Sequence, residues 1–76
     1  MKKHERQTLL RQIGQAVSKL RISRGLGQDR LTDEAGLSRG TVSKIERGTV
    51  DPRATTLARL AKALNVRLSM LVDVTD

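Results

Sequence analysis

The sequence predicts an all-α fold of four to five short helices in one small domain. Three observations carry this expectation. The chain has 76 residues, the size of a single small domain. Its apolar residues recur at three- and four-residue steps through most of its length. Glycines 25, 36 and 48 and Asn65 stand where those periodic runs stop, as helix ends require.

The first run is Leu9 or Leu10, Ile13, Val17 and Leu20, one apolar stripe of an amphipathic helix. Its start falls near Glu5 or near Thr8, and its end near Gly25. Gly14 lies inside the stripe, where it costs about 1 kcal/mol relative to alanine. A glycine there permits close approach of a neighbouring helix. Residues 28–35 form a second, short helix, with Asp29 at its positive dipole end. Leu31 and Ala35 make its inward face, Gly36 ends it, and Leu37 follows as an apolar plug. Ser38 is a good N-cap for a third helix over residues 39–47, with Val42 and Ile45 inward. Residues 48–53 are a loop whose Pro52 fits just before a helix start. Leu57, Leu60, Ala61 and Leu64 give a fourth helix from about 54 to 64.

The tail changes period. Val66, Leu68, Met70, Val72 and Val74 alternate with Arg67, Ser69, Leu71 and Asp73. On a strand the first five form one face, with Leu71 the only large apolar residue on the other. A lone strand needs a second copy to satisfy its backbone groups, so the favoured reading is a two-stranded sheet across a dimer. The competing reading is a short fifth helix near residues 68–73.

Composition narrows the function. There are 15 Lys+Arg against 8 Asp+Glu, a net charge of +7, which favours an anionic partner. Residues 1–27 carry seven basic side chains and one acid, residues 28–48 four of each sign, and residues 49–76 four against three. There are no aromatic residues, which argues against base-stacking single-strand binders and weakens a membrane-surface reading. There are no cysteines to build a disulfide framework or a thiolate zinc site. His4 is the single histidine, there is no phosphate-cradling glycine loop, and no paired carboxylates share a face. The expectation is therefore no enzyme, no metal, no cofactor and no small-molecule ligand. No apolar run approaches a membrane span, and Met1 to Arg6 lead into no apolar stretch, so a soluble cytoplasmic protein is expected.

Two short helices over residues 28–47, joined by a turn containing Gly36, are the helix-turn-helix pattern. The stretches Leu20-Arg21, Arg24 to Gln28, Glu34 to Arg39, Val42 to Gly48, Asp51-Pro52 and Leu57 to Leu64 resemble the Cro/cI-like (XRE-type) family of phage and bacterial repressors. The resemblance covers roughly residues 13–72. It implies a lambda-repressor-like domain over residues 11–76, behind a basic extension at residues 1–10. It further implies a sequence-specific regulator of double-stranded DNA, most simply a homodimeric repressor of a palindromic operator.

Carried onto this sequence, the resemblance makes residues 39–47 the helix that enters the major groove. Arg39, Gly40, Ser43 and Lys44 then face base edges, with Arg39 and Lys44 able to donate to guanine. Gln28, Ser38, Thr41, Arg47, Thr49 and Arg53 fall where the family contacts phosphate. Arg21 and Glu46 resemble a structural ion pair of phage repressors. Three positions depart from the pattern. Gly27 stands where Ser or Thr caps the second helix, Thr32 replaces an alanine at the helix contact, and Arg67 replaces a cap of a fifth helix. The tail, residues 64–73, resembles the C-terminal strand of HipB-type antitoxins. This implies the alternative of an antitoxin that autoregulates its operon and binds a toxin protein. A third reading is a helical protein-binding module whose charge is incidental.

Overall fold

Five helices follow one another in the computed structural model: α1 (Lys3–Ser23), α2 (Gln28–Glu34), α3 (Thr41–Glu46), α4 (Ala54–Leu64) and α5 (Ser69–Val72). The structure describes residues 1–72. Among these residues there is no strand, in agreement with the all-α expectation.

α1 is the spine of the fold. It begins at Lys3, upstream of both starts inferred from the sequence, so most of residues 1–10 is helix. Lys3, Glu5, Arg6 and Gln7 are good helix formers, and they extend the helix without needing a buried face. Burial starts with Leu10 and continues through Ile13, Gly14 and Val17. α1 packs on α3, α4 and α5, and α2 packs on α3 and α4. The core between them is wholly aliphatic: Leu31 and Ala35 from the α2 side, Val42 and Ile45 from α3, and Leu57, Leu60, Ala61 and Leu64 from α4. Each fully buried Leu or Ile contributes about 1.5–3 kcal/mol relative to exposure.

Gly14 has the role its place in the stripe suggests. A Cβ there would meet the Ile45 carbonyl oxygen and stand 2.7 Å from the carbonyl oxygen of Glu46. α1 and α3 are thus in backbone contact at this point.

The helices stop by a repeated local device. After α2, Gly36 takes φ 68°. Its N–H donates to Asp33 O (3.1 Å), and the N–H of Leu37 donates to Thr32 O (3.0 Å). This is the Schellman pattern, with Leu37 as its apolar follower packed on the core. Matching hydrogen-bond pairs close α1 at Gly25 and Leu26, α3 at Gly48 and Thr49, and α4 at Asn65 and Val66.

Thr32 is accommodated at the contact between α2 and its neighbours. It is buried, and its hydroxyl donates to Gln28 O at 2.7 Å, so no polar group is left unpaired.

Two expectations are corrected. The third helix begins at Thr41 rather than at Arg39, and Ser38 is not its N-cap. Gly40 occupies that position with φ 84°, a left-handed conformation that a helix cannot continue through. Residues 38–41 form a turn instead, closed by the Thr41 N–H on Ser38 O at 3.1 Å. A serine two residues before a glycine is as good a turn former as a cap.

The second correction concerns the tail. Residues 69–72 are helix α5, the competing reading near residues 68–73, and the favoured strand face of Val66, Leu68, Met70 and Val72 does not form. Val74 lies outside the described residues. The cause is Leu71, only 2% exposed within the core that α1 and α4 line. On a strand it would be the one large residue on the wrong face. A helical turn inserts Leu71, leaves Val66 and Val72 packed beside it, and turns Leu68 (39% exposed) and Met70 (54% exposed) outward. Burial of one leucine outweighs a short alternation that no neighbouring strand supports. The antitoxin resemblance rested on that strand, and loses it.

Candidate nucleic-acid interface

The site is built on α3, which is held from below. Val42 and Ile45 are fully buried, so the rest of this six-residue helix is oriented by them. Arg39, Lys44 and Arg47 are exposed, and Ser43 and Thr41 half-buried, around the same element. Arg39 and Gly40 belong to the turn that precedes α3, not to the helix itself.

One carboxylate fixes the C-terminal end of the helix. Arg21 Nε donates to Glu46 Oε2 at 2.6 Å, and Arg21 Nη2 donates to Glu46 Oε1 at 3.0 Å. The pair is bidentate and largely out of water, with side chains 14% and 8% exposed. The Arg21 Nη1 donates to Leu26 O at 2.8 Å, and the Gln28 amide donates to Glu46 Oε1 at 2.9 Å. α1, the loop before α2, α2 and α3 therefore meet on a single hydrogen-bonded cluster. Burial alone pushes the Glu46 carboxyl up, but hydrogen bonds from Arg21 and Gln28 outweigh it and hold it below its ordinary value. The same hydrogen bond raises the Arg21 guanidinium above its usual value, against the opposing effect of burial.

The other residues singled out from the sequence sit around this helix. Gln28 opens α2, yet one of its amide donors is committed to Glu46 rather than free for a phosphate. Ser38 is exposed in the turn before α3. Thr49 is exposed just beyond α3, but its hydroxyl hydrogen goes to Lys44 O at 3.1 Å, leaving only acceptor capacity outward. Arg53 is exposed at the N-cap of α4. Sequence reasoning missed the internal use of Gln28 and the ion pair of Arg6 with Asp51, 3.5 Å apart. No spacing rule connects residues that far apart in the chain. Among the described residues no group of His, Cys, Asp or Glu could hold a metal ion, and no helix is long and apolar enough to cross a membrane.

Two helices locked at this turn, the second presenting its polar side, are a helix-turn-helix by geometry. The profile of the HTH_3 helix-turn-helix family matches residues 17–71. The chain belongs to that family. Among helix-turn-helix relatives, it is 38% identical over 64 residues to the uncharacterised HTH-type transcriptional regulator y4dJ of Sinorhizobium fredii, covering 84% of this chain and 83% of that one. It is 37% identical over 60 residues to the immunity repressor protein of Bacillus phage phi105, covering 79% of this chain but only 42% of the repressor's length. The crystal structure of the restriction-modification controller protein C.AhdI from Aeromonas hydrophila superposes with a TM-score of 0.79 at 34% identity, covering 82% of this chain and 94% of that one. The helix-turn-helix domain described here is that of a DNA-binding transcriptional regulator.

Proposed function

We propose that the chain is a repressor that binds a palindromic double-stranded DNA operator as a homodimer in the cytoplasm. The observation that carries this reading is α3, pinned along its inner side by Val42 and Ile45 and at its C-terminal end by the Arg21–Glu46 pair, with its polar side free. A rigid helix of this kind can lie in a major groove without reorganising. Arg39, Ser43 and Lys44 supply base contacts, with Gly40 letting the backbone come close. Arg47 and Arg53 supply phosphate contacts, supported by Ser38, Thr41 and the backbone at Gln28. No catalytic step enters this reading. Repression is taken over from the phage immunity repressor, which this chain resembles over its matched portion.

The test is selection from random duplexes followed by salt titration. A palindromic site is expected, with half-sites about 34 Å apart. Arg39→Ala is expected to relax preference at one base position at a cost of about 1–3 kcal/mol. Arg53→Ala is expected to weaken all sequences alike and to flatten the salt dependence. Equal losses on selected and random DNA for Arg39→Ala would remove that residue as a base reader.

Leu68 and Met70 give the homodimer its physical support, as large apolar side chains turned outward beside α5. Met70→Asp is expected to convert a dimer to a monomer in sedimentation equilibrium. Operator affinity should then fall by more than tenfold, because one half-site replaces two. A variant that stays dimeric would move the interface elsewhere.

A further inference from the structure

The N-terminal turns of α1 run beside the loop that leaves α3. Gly48 lies so close to α1 that a Cβ would stand 3.2 Å from Arg11 Cγ and 3.3 Å from the Arg11 backbone nitrogen. This contact brings Arg47 and Thr49 alongside Arg11, and Arg6 lies further up the same helix. Arg6, Leu10, Arg11, Arg47, Gly48 and Thr49 line an open cleft of about 400 Å³. Three guanidinium side chains share this cleft, and among the described residues that line it there is no carboxylate. Asp51 reaches it from the loop, with its Oδ2 3.5 Å from Arg6 Nε. Both side chains of that pair are more than half exposed, so the pairing is weak and exchangeable. The cleft is too open and too polar to select an apolar ligand, while clustered arginines match phosphate oxygens in charge and in donor geometry.

We infer that this cleft is a phosphate clamp, in which Arg6 and Arg11 of α1 join Arg47 to hold the backbone of the duplex whose groove α3 enters. The inference rests on the DNA-binding reading above, and adds to it two residues from the first helix. The source is the duplex rather than free phosphate because of where the cleft lies. It begins at the C-cap of α3, so a groove occupied by α3 brings its bordering strand past this point. Thr49 cannot donate there, since its hydroxyl hydrogen is bonded to Lys44 O. The arginines therefore carry the contact. Asp51 acts as a stand-in for the phosphate, holding Arg6 near the cleft until the nucleic acid displaces it.

The test uses the full chain and its selected duplex. Arg6→Gln and Arg11→Gln should each lower the salt slope by about 1. Affinity at low salt should fall about tenfold for each. Asp51→Asn should act in the opposite direction and tighten binding, and that gain should vanish in the Arg6→Gln background. A purely structural Arg6–Asp51 pair would instead be weakened by both substitutions. Neutral methylphosphonates placed one backbone position at a time then locate the contact. At one or two positions they should weaken the wild-type protein and leave the Arg6→Gln/Arg11→Gln protein unaffected. Additive losses at every position would overturn the clamp while leaving the operator reading intact. Failure of the wild-type protein to select any duplex would remove both. Inorganic phosphate alone, followed by the arginine Nε–Hε signals in NMR, should shift residues 6 and 11 without saturating. Saturation at millimolar phosphate would make this a free-anion pocket and overturn the duplex assignment.

Discussion

Gly14→Ala is expected to lower the unfolding free energy by roughly 2–3 kcal/mol. In a domain of this size that corresponds to a fall in Tm of roughly 10–20 °C. Alanine is the better helix former by about 1 kcal/mol, so propensity alone predicts stabilisation. The overlap decides the sign. The new methyl would meet the Ile45 and Glu46 carbonyl oxygens, the latter at 2.7 Å, and neither is a side chain that can swing away. Relief requires α1 and α3 to separate, which disturbs the buried contacts of Val17, Val42 and Ile45. Gly27→Ala is the control, since no atom lies within 4 Å of a Cβ there and its φ is an ordinary −74°. It should stay within about 0.5 kcal/mol of wild type. Urea unfolding of both variants measures the difference, and a stabilised Gly14→Ala protein would show that the two helices are not in backbone contact.

Glu46→Ala is expected to destabilise by about 3 kcal/mol, because it leaves the Arg21 guanidinium largely out of water with its main partner gone. The variant also strands one Gln28 donor. Glu46→Gln keeps a hydrogen-bonding group in place and should lose less. The pH dependence follows from the lowered carboxyl of Glu46. A carboxylate more acidic in the folded than in the unfolded protein stabilises the fold fully above its unfolded value. That contribution disappears as the pH falls through the lower, folded value. Stability of the wild-type protein should therefore drop on the acid side of the ordinary glutamate range, and Glu46→Gln should show a shallower drop. Identical acid profiles for the two proteins would remove Glu46 as the titrating group.

The parts of the fold that were legible in the sequence are those fixed by local chemistry or by several turns of periodicity. Ile13 and Val17, Leu31 and Ala35, and Leu57 through Leu64 occupy the core positions their spacing assigns them. Gly25, Gly36 and Asn65 stop helices in the left-handed region because their residue types suit it. Arg21 and Glu46 form an ion pair across 25 residues of chain, which local patterning alone does not reveal. The start of α3 was less legible, since Ser38 suits either a cap or a turn and Gly40 resolves the choice only through its backbone angle. α5 was legible only as the second of two readings, because a four-residue helix has no full period to display and the burial of Leu71 is a tertiary fact. The first two turns of α1 carry no apolar stripe, so nothing in the pattern marked where that helix begins. The cleft beside Gly48 joins residues distant in sequence, and only the packing of α1 on the loop after α3 assembles it.

The empty space around Gly40 bears on how readily this domain can acquire a new operator. Nothing lies within 4 Å of a Cβ at that position, so a side chain added there meets no obstacle and projects from the turn that opens α3. The penalty is confined to the backbone, about 1 kcal/mol for a residue forced into the left-handed region, and least for asparagine. In the proposed docking, with α3 in the major groove, residue 40 combines this small structural penalty with a place at the mouth of the groove. On that proposal, DNA preference can drift at residue 40 while the scaffold beneath it is left unaltered.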